Sequence, residues 1–308
     1  MALIPQSASM RGHLAMLIFS AIVAGSFSFG SMIANKIDPV AMNAVRFMIA
    51  GTAIGLLAAM GPGLKRAYFA APWRFVLLGA MFALYFVFMF EGLKTAPPVS
   101  TAAVFTLTPV MSGLFGWVLL RQRTTGRMWV ALTLGAIGAL WVIFRADIGA
   151  LLAFDIGRGE AIYFIGCVSH AAFTPLLAKL SRGEPALVFN FGVMAAMVLM
   201  LTAYGAPAIA ETDWAAFTVK DWSILIYIAL FASALTFLLL RYSSHQLPSA
   251  KVMAYTYLVP TWVICWEMIL GNGLPQPMML IGIGLTVAAL YLLLKDEEAA
   301  RPLRPAHP

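Results

Sequence analysis

The sequence predicts an all-α integral membrane protein with ten transmembrane helices, arranged as two inverted five-helix repeats around a central cavity. Three observations carry this expectation. First, 62% of residues are hydrophobic and only 11% charged, with a mean hydropathy of +0.89. A soluble fold of that composition would leave far more apolar surface than one core can bury, so the bilayer is the expected solvent. Second, the apolar residues fall into ten stretches near the roughly 20 residues that cross a hydrocarbon core of about 30 Å. Third, the chain echoes itself. Lys94-Thr95-Ala96-Pro97 leads to Pro109 after twelve residues, and His245-Gln246-Leu247-Pro248 leads to Pro260 after the same twelve, at an offset of 151. Asp38-Pro39-Val40 pairs with Glu184-Pro185-Ala186 at an offset of 146. A period this long exceeds any solenoid repeat and points to a duplicated membrane unit.

The first stretch, Leu14 to Ala34, is longer than the apolar core of about 7 to 15 residues in a signal peptide, so it is expected to stay as a span. Its Ser20, Ser26, Ser28 and Ser31, with Gly25 and Gly30, form a polar stripe suited to a cavity wall. Val40 to Met60 follows and contains Arg46; Trp73 to Leu93 is the third, and Val99 to Leu120, with Pro109 as its helix bend, the fourth. Met128 to Phe144 is short, and its Ala131, Gly135 and Ala139 have the spacing of close helix packing. The second half repeats the series as Ala161 to Leu180, Leu187 to Tyr204, Trp222 to Leu240, Ser249 to Leu270 with its bend at Pro260, and Met278 to Leu294. Gly284 and Ala288 in the tenth stretch have the same small-residue spacing, so the fifth and tenth spans are expected to be scaffold or homodimer contacts. The repeats are expected over residues 1–145 and 146–295, and the charged, Pro-rich tail 296–308 is expected to be disordered.

Orientation follows from Lys and Arg, which are retained on the cytoplasmic side. One face would hold thirteen of the twenty, among them Arg11, Lys65, Arg121, Arg182, Arg241 and Lys295; the other would hold five, namely Lys36, Lys94, Arg145, Arg158 and Lys220. Arg46 and Lys251 lie within spans. Both termini are therefore expected in the cytoplasm. Five spans per half is an odd number, so the second repeat enters the membrane inverted. The formal charge of +7 is mostly this topology signal, and no nucleic-acid partner is expected. Cys167 and Cys265 lie inside spans, where they are expected to be buried thiols rather than a disulfide framework.

Ten helices in two halves, the Arg of Val45-Arg46-Phe47, and the prolines of Leu107-Thr108-Pro109-Val110 and Leu258-Val259-Pro260-Thr261 together resemble the drug/metabolite transporter superfamily. The halves resemble its EamA-type repeats, and the chain over about residues 13–294 resembles the YddG-type amino-acid exporters. The resemblance implies helices around a central cavity opened alternately by rocking of the halves. It also implies export of aromatic and other neutral amino acids across a bacterial inner membrane. The chain departs from the pattern in two places. Arg121 and Gly271-Asn272 stand where many EamA repeats carry a Glu, and Gly192 lies where the second half would repeat the Arg.

Ionisable groups inside a span are costly and mark candidate sites. Arg46, about two turns inside its span, and Glu91, about one turn inside, are expected to form an outer gate or a structural ion pair, against the alternative that Arg46 is structural or snorkels and Glu91 sits at the interface. Lys251 follows Pro248, where a helix should begin, and is a candidate for a substrate carboxylate or a snorkelling cation. His170, near the middle of the sixth stretch, is a candidate for substrate or proton contact, or a packed polar residue. Tyr85, Phe27, Asn43, Ser28, Tyr163, Tyr255, Tyr257 and Trp262 are candidate cavity residues, set against ordinary packing or lipid contact.

The four histidines are dispersed, and no metal-ligand pair, paired carboxylate or phosphate loop marks an enzyme, a cofactor or a metal. The expected function is export of small metabolites, with two alternatives: an organic-cation exporter of the same fold, and an intramembrane enzyme acting on lipid substrates.

Overall fold

A computed structural model describes residues 6–122, 125–153 and 155–295. The expected disordered tail lies outside them. Ten helices are long and apolar enough to cross a membrane, and they are labelled here in chain order. They are α1 (Ser9–Ala34), α2 (Pro39–Met60), α3 (Trp73–Leu93), α4 (Pro98–Leu120), α5 (Gly126–Ile143), α6 (Arg158–Lys179), α7 (Ala186–Glu211), α8 (Val219–Ser244), α9 (Ser249–Ile269) and α10 (Pro277–Leu294). Their outward faces expose Leu56, Leu57, Trp117, Val130, Ile165 and Leu199, a surface that only lipid can cover at low cost.

Local chemistry sets the helix starts. The Asp38 carboxylate accepts from Val40 N at 2.8 Å and Ala41 N at 3.2 Å, and Pro39 occupies the first turn, where its missing N–H costs nothing. Thr218 and Asp221 form a reciprocal capping box at the start of α8. Glu184, at the place equivalent to Asp38, does not cap α7: Pro185 is the N-cap, and the carboxylate turns to Arg74 instead.

Helix partners obey the exchange of each helix with the one five positions later. α3 packs on α6 as α1 packs on α8; α4 packs on α6 as α1 packs on α9; α2 meets α7, and α5 meets α10. The result is two three-helix groups, α3–α4–α6 and α1–α8–α9, buttressed by the α2–α7 and α5–α10 pairs. α4 and α9 are both discontinuous. In α4 a turn at Thr106 and Leu107 separates Pro98–Phe105 from Thr108–Leu120; in α9 a 3-10 turn, Tyr255–Leu258, separates Ser249–Ala254 from Val259–Ile269. Pro109 and Pro260 fall in the first turn of each second segment, where a proline breaks no hydrogen bond. The two breaks touch, with Thr108 Oγ1 and Thr256 Oγ1 3.4 Å apart.

The α5–α10 contact is closer than ordinary side chains permit. A Cβ on Gly138 would lie 2.5 Å from the carbonyl oxygen of Gly282. Gly282, not Gly284, is the contact on α10: Gly284 and Ala288 face outward, because they lie on the opposite side of the helix. Cys167 is buried, but Cys265 is exposed on the outer face of α9.

Candidate functional site

A pocket lies near the middle of α1, α3, α6 and α8, between the two three-helix groups. Phe19, Val23 and Ser26 of α1 line one side; Phe82, Tyr85, Phe86 and Met89 of α3 line the other. His170 comes from α6, and Ala232, Thr236, Phe237 and Leu240 from α8. The α3 residues recur at the spacing of one helix face, which is why a single helix supplies four of them. The free space is no larger than about one water molecule, so the pocket is filled by its own side chains.

His170 is held in an aromatic cage. Its ring lies 4.3 Å from that of Tyr85, 5.4 Å from Phe105 and 5.7 Å from Phe82, between centroids. Phe82 also stacks on Phe173 at 4.6 Å. Tyr163 donates to the Tyr85 hydroxyl at 3.0 Å, fixing the ring that covers the imidazole. Within this apolar shell His170 Nδ1 and Ser26 Oγ are buried without a hydrogen-bond partner. Orphaned polar atoms are costly in low dielectric unless a ligand or water satisfies them.

Arg46 sits directly behind the pocket wall and is fully buried. Its guanidinium lies 4.0 Å over the ring of Phe86, while Nε donates to Ser233 Oγ at 2.6 Å and Nη2 to the Ala232 carbonyl at 3.2 Å. Ser233 and Ala232 belong to a π-turn, Leu230–Leu235, that interrupts α8. Such turns reshape the backbone hydrogen-bond ladder and are frequent at functional sites. The expected Arg46–Glu91 pair does not form. Glu91 Oε2 pairs with Lys94 at 2.7 Å one turn along its own helix, near the surface. Arg46 has turned inward to α8, where the π-turn offers it oxygens.

Of the expected cavity residues, Tyr85 and His170 line the pocket. Tyr163 and Phe27 stand behind it, Phe27 meeting the Tyr163 ring edge-on at 5.9 Å. Ser28 is buried nearby with its hydroxyl unpartnered. Asn43 donates back to the Pro39 carbonyl at 2.7 Å, so its amide serves its own helix. Three others are displaced from the pocket. Tyr257 packs against Gly135 in the α5–α9–α10 scaffold. Trp262 is 36% exposed and donates to the buried Ser20 Oγ of α1 at 3.3 Å. Tyr255 faces His13 Nδ1 at 3.0 Å, toward the end of the bundle. Lys251 is buried in the first segment of α9 and outside the pocket lining. The sequence reading missed Phe82, Phe86 and Phe237. The stripe Phe82, Tyr85, Phe86, Met89 was the available signal for the α3 wall.

The two halves also match a known family separately. The EamA-like transporter family model covers residues 10–144 and again 157–295. This chain belongs to the EamA-like transporter family. Among curated proteins it resembles, the uncharacterized transporter YyaM of Bacillus subtilis (strain 168) is 21% identical over 253 residues, spanning 80% of this chain and 82% of that one. YetK of the same organism, also an uncharacterized transporter, is 21% identical over 297 residues, with 92% and 86% covered. An uncharacterized transporter of Archaeoglobus fulgidus is 21% identical over 288 residues, with 92% and 96% covered. A solved crystal structure shares the fold at TM-score 0.70 and 20% identity, covering 97% of this chain and 99% of that one. The EamA-like chain is thus a multi-pass membrane transporter.

Proposed function

We propose that this EamA-like transporter exports small amphipathic metabolites, aromatic and other neutral amino acids foremost, in the manner of YddG-type exporters. The observation that carries the reading is the pocket between the two helix groups, walled by aromatic rings and containing the unpartnered His170 Nδ1 and Ser26 Oγ. Rings supply an apolar wall for a large neutral side chain, and the orphaned polar atoms supply handles for a polar end. Because the pocket is filled by its own side chains, transport requires the groups α3–α4–α6 and α1–α8–α9 to separate at one face at a time. The face rich in Lys and Arg is assigned to the cytoplasm, the membrane to the bacterial inner membrane, and both termini to the inside.

An organic-cation exporter is the second reading. It calls for a carboxylate in the pocket, and among the described residues none of those lining it carries one.

The test is transport of labelled phenylalanine, tryptophan, leucine and threonine by the pure protein in liposomes, with and without a pH gradient. Transport of the aromatic pair above protein-free liposomes is expected. Failure of all four, with transport of a quaternary ammonium ion, would establish the cation reading in its place.

A further inference from the structure

We propose that Arg46 is the anchor for a substrate carboxylate, and that the transporter therefore takes aromatic or apolar monocarboxylates in preference to amines of the same shape. The inference rests on the pocket reading above and adds the charge of the substrate to it.

Arg46 is a fully buried cation in the middle of a membrane bundle, and among the described residues no carboxylate pairs with it. Two of its nitrogens are occupied, by Ser233 Oγ and the Ala232 carbonyl, both neutral acceptors. The third, Nη1, is buried and makes no hydrogen bond. A desolvated guanidinium with a vacant donor is costly unless an anion compensates it. Two of the residues that hold it, Phe86 and Ala232, themselves line the pocket. One side chain's thickness therefore separates the cation from the substrate space.

A small swing of Phe86 when the groups separate brings Nη1 to face the pocket. A planar carboxylate then accepts from it while the π-turn retains Nε and Nη2. The substrate ring remains against Phe82, Tyr85 and Phe237. Among the described residues that line the pocket, His170 Nδ1 and Ser26 Oγ are the buried polar side-chain atoms without a hydrogen-bond partner, and they remain for the rest of the ligand. These neutral atoms hydrogen-bond an ammonium or a hydroxyl, but they supply no opposite charge. An amino acid thus binds through its carboxylate, with its ammonium hydrogen-bonded to these neutral acceptors, whereas an amine of the same shape has no anionic partner among the described residues of the pocket lining.

Three probes with one ring and different ends test this: 3-phenylpropanoate, phenylalanine and 2-phenylethylamine, measured by calorimetry on the intact protein in nanodiscs and by flux in liposomes. Propanoate and phenylalanine, which both carry the carboxylate, are expected to bind, and the amine to be weaker than either by at least about tenfold. Arg46→Gln is expected to abolish the preference and Arg46→Lys to restore part of it. The wild-type order is informative even if Arg46→Gln does not fold. An amine that binds as well as the propanoate, or an order unchanged in Arg46→Gln, overturns the role of Arg46 and leaves the pocket standing. No binding or flux of any of the three overturns the pocket reading itself, and this inference with it.

Discussion

The Arg74 guanidinium meets the Glu184 carboxylate at 2.7 Å, pinning the start of α3 to the turn between α6 and α7. Lys36 and Asp221 form the counterpart at the opposite face, also at 2.7 Å, pinning the start of α8 to the turn between α1 and α2. The pairs occupy equivalent places in the inverted repeat with their charges exchanged. Each fastens one three-helix group to itself, which lets the group move as a unit. The side chains of Arg74 and Glu184 are 1% and 5% exposed, whereas that of Lys36 is 50% exposed. Removing one partner of the buried pair should cost about 3–5 kcal/mol, and removing Lys36 less than about 1 kcal/mol. Thermal unfolding of Arg74→Ala and Lys36→Ala in detergent checks this; equal losses would refute the burial argument.

The same pair should be sensitive to acid. Burial pushes the Glu184 pKa up, but the Arg182 backbone N–H, which donates at 2.7 Å, and the Arg74 guanidinium outweigh it, holding the group below its ordinary 4.5. With the folded value depressed, the stabilisation is complete above the ordinary value and is lost as pH falls through the lower folded one. The Tm difference between wild type and Glu184→Gln should therefore be constant at neutral pH and shrink on acidification below the ordinary value. A gap that persists there would show that the carboxylate's charge is not what stabilises the turn.

The spans and the duplication were legible because they depend on chain-wide composition and on prolines whose positions tolerate few alternatives. Contacts inside the bundle were less so. Arg46 and Glu91 lie within about a turn of each other in depth, but depth does not reveal azimuth, and the π-turn in α8 that turns Arg46 away leaves no mark in hydropathy. Tyr257 and Trp262 share a helix with Tyr255, yet the 3-10 turn rotates their directions, sending Tyr257 to the scaffold and Trp262 outward. Small-residue spacing identified α5 and α10 as packing helices. It chose the wrong glycine on α10, because an apolar helix facing both lipid and protein shows no polarity contrast to distinguish its sides.

That glycine choice is testable. A Cβ on Gly282 would meet Gly138 O at 2.6 Å and Val142 Cγ2 at 2.8 Å, whereas one on Gly284 meets nothing within 4 Å. Gly282→Ala should destabilise by about 1–3 kcal/mol through overpacking against backbone that cannot yield. Gly284→Ala should be neutral or slightly stabilising, since it replaces glycine in a helix. Paired melting curves decide the matter, and a larger loss at Gly284 would contradict the α5–α10 register.

Transport should follow the cage and ignore the displaced aromatics. His170→Ala and Phe82→Ala remove pocket surface and are expected to lower phenylalanine flux in liposomes by about tenfold or more, the scale of one lost polar contact or one ring. Tyr257→Phe removes a hydroxyl that is buried without a partner, so it should leave flux unchanged and folding no worse. Comparable loss in Tyr257→Phe would move the site toward the α5–α10 side.

Arg241 closes the basic face. From the end of α8 its Nη2 donates to Ser181 Oγ at 3.0 Å and to the Glu184 carbonyl at 3.1 Å, and its guanidinium lies 4.0 Å over Phe189. Ser181 and Glu184 lie in the turn that ends the other helix group. Unlike the two ion pairs, these bonds cross between groups, so they must break whenever the pocket opens toward this face. Arg241→Ala should therefore favour the state open at the basic face. A cysteine placed by Thr236→Cys in the pocket wall, with Cys167 and Cys265 replaced by serine, reports that opening. An impermeant maleimide applied from the basic face should label it several-fold faster in Arg241→Ala than with Arg241 intact. An unchanged rate would mean that apolar packing, rather than Arg241, keeps this end shut.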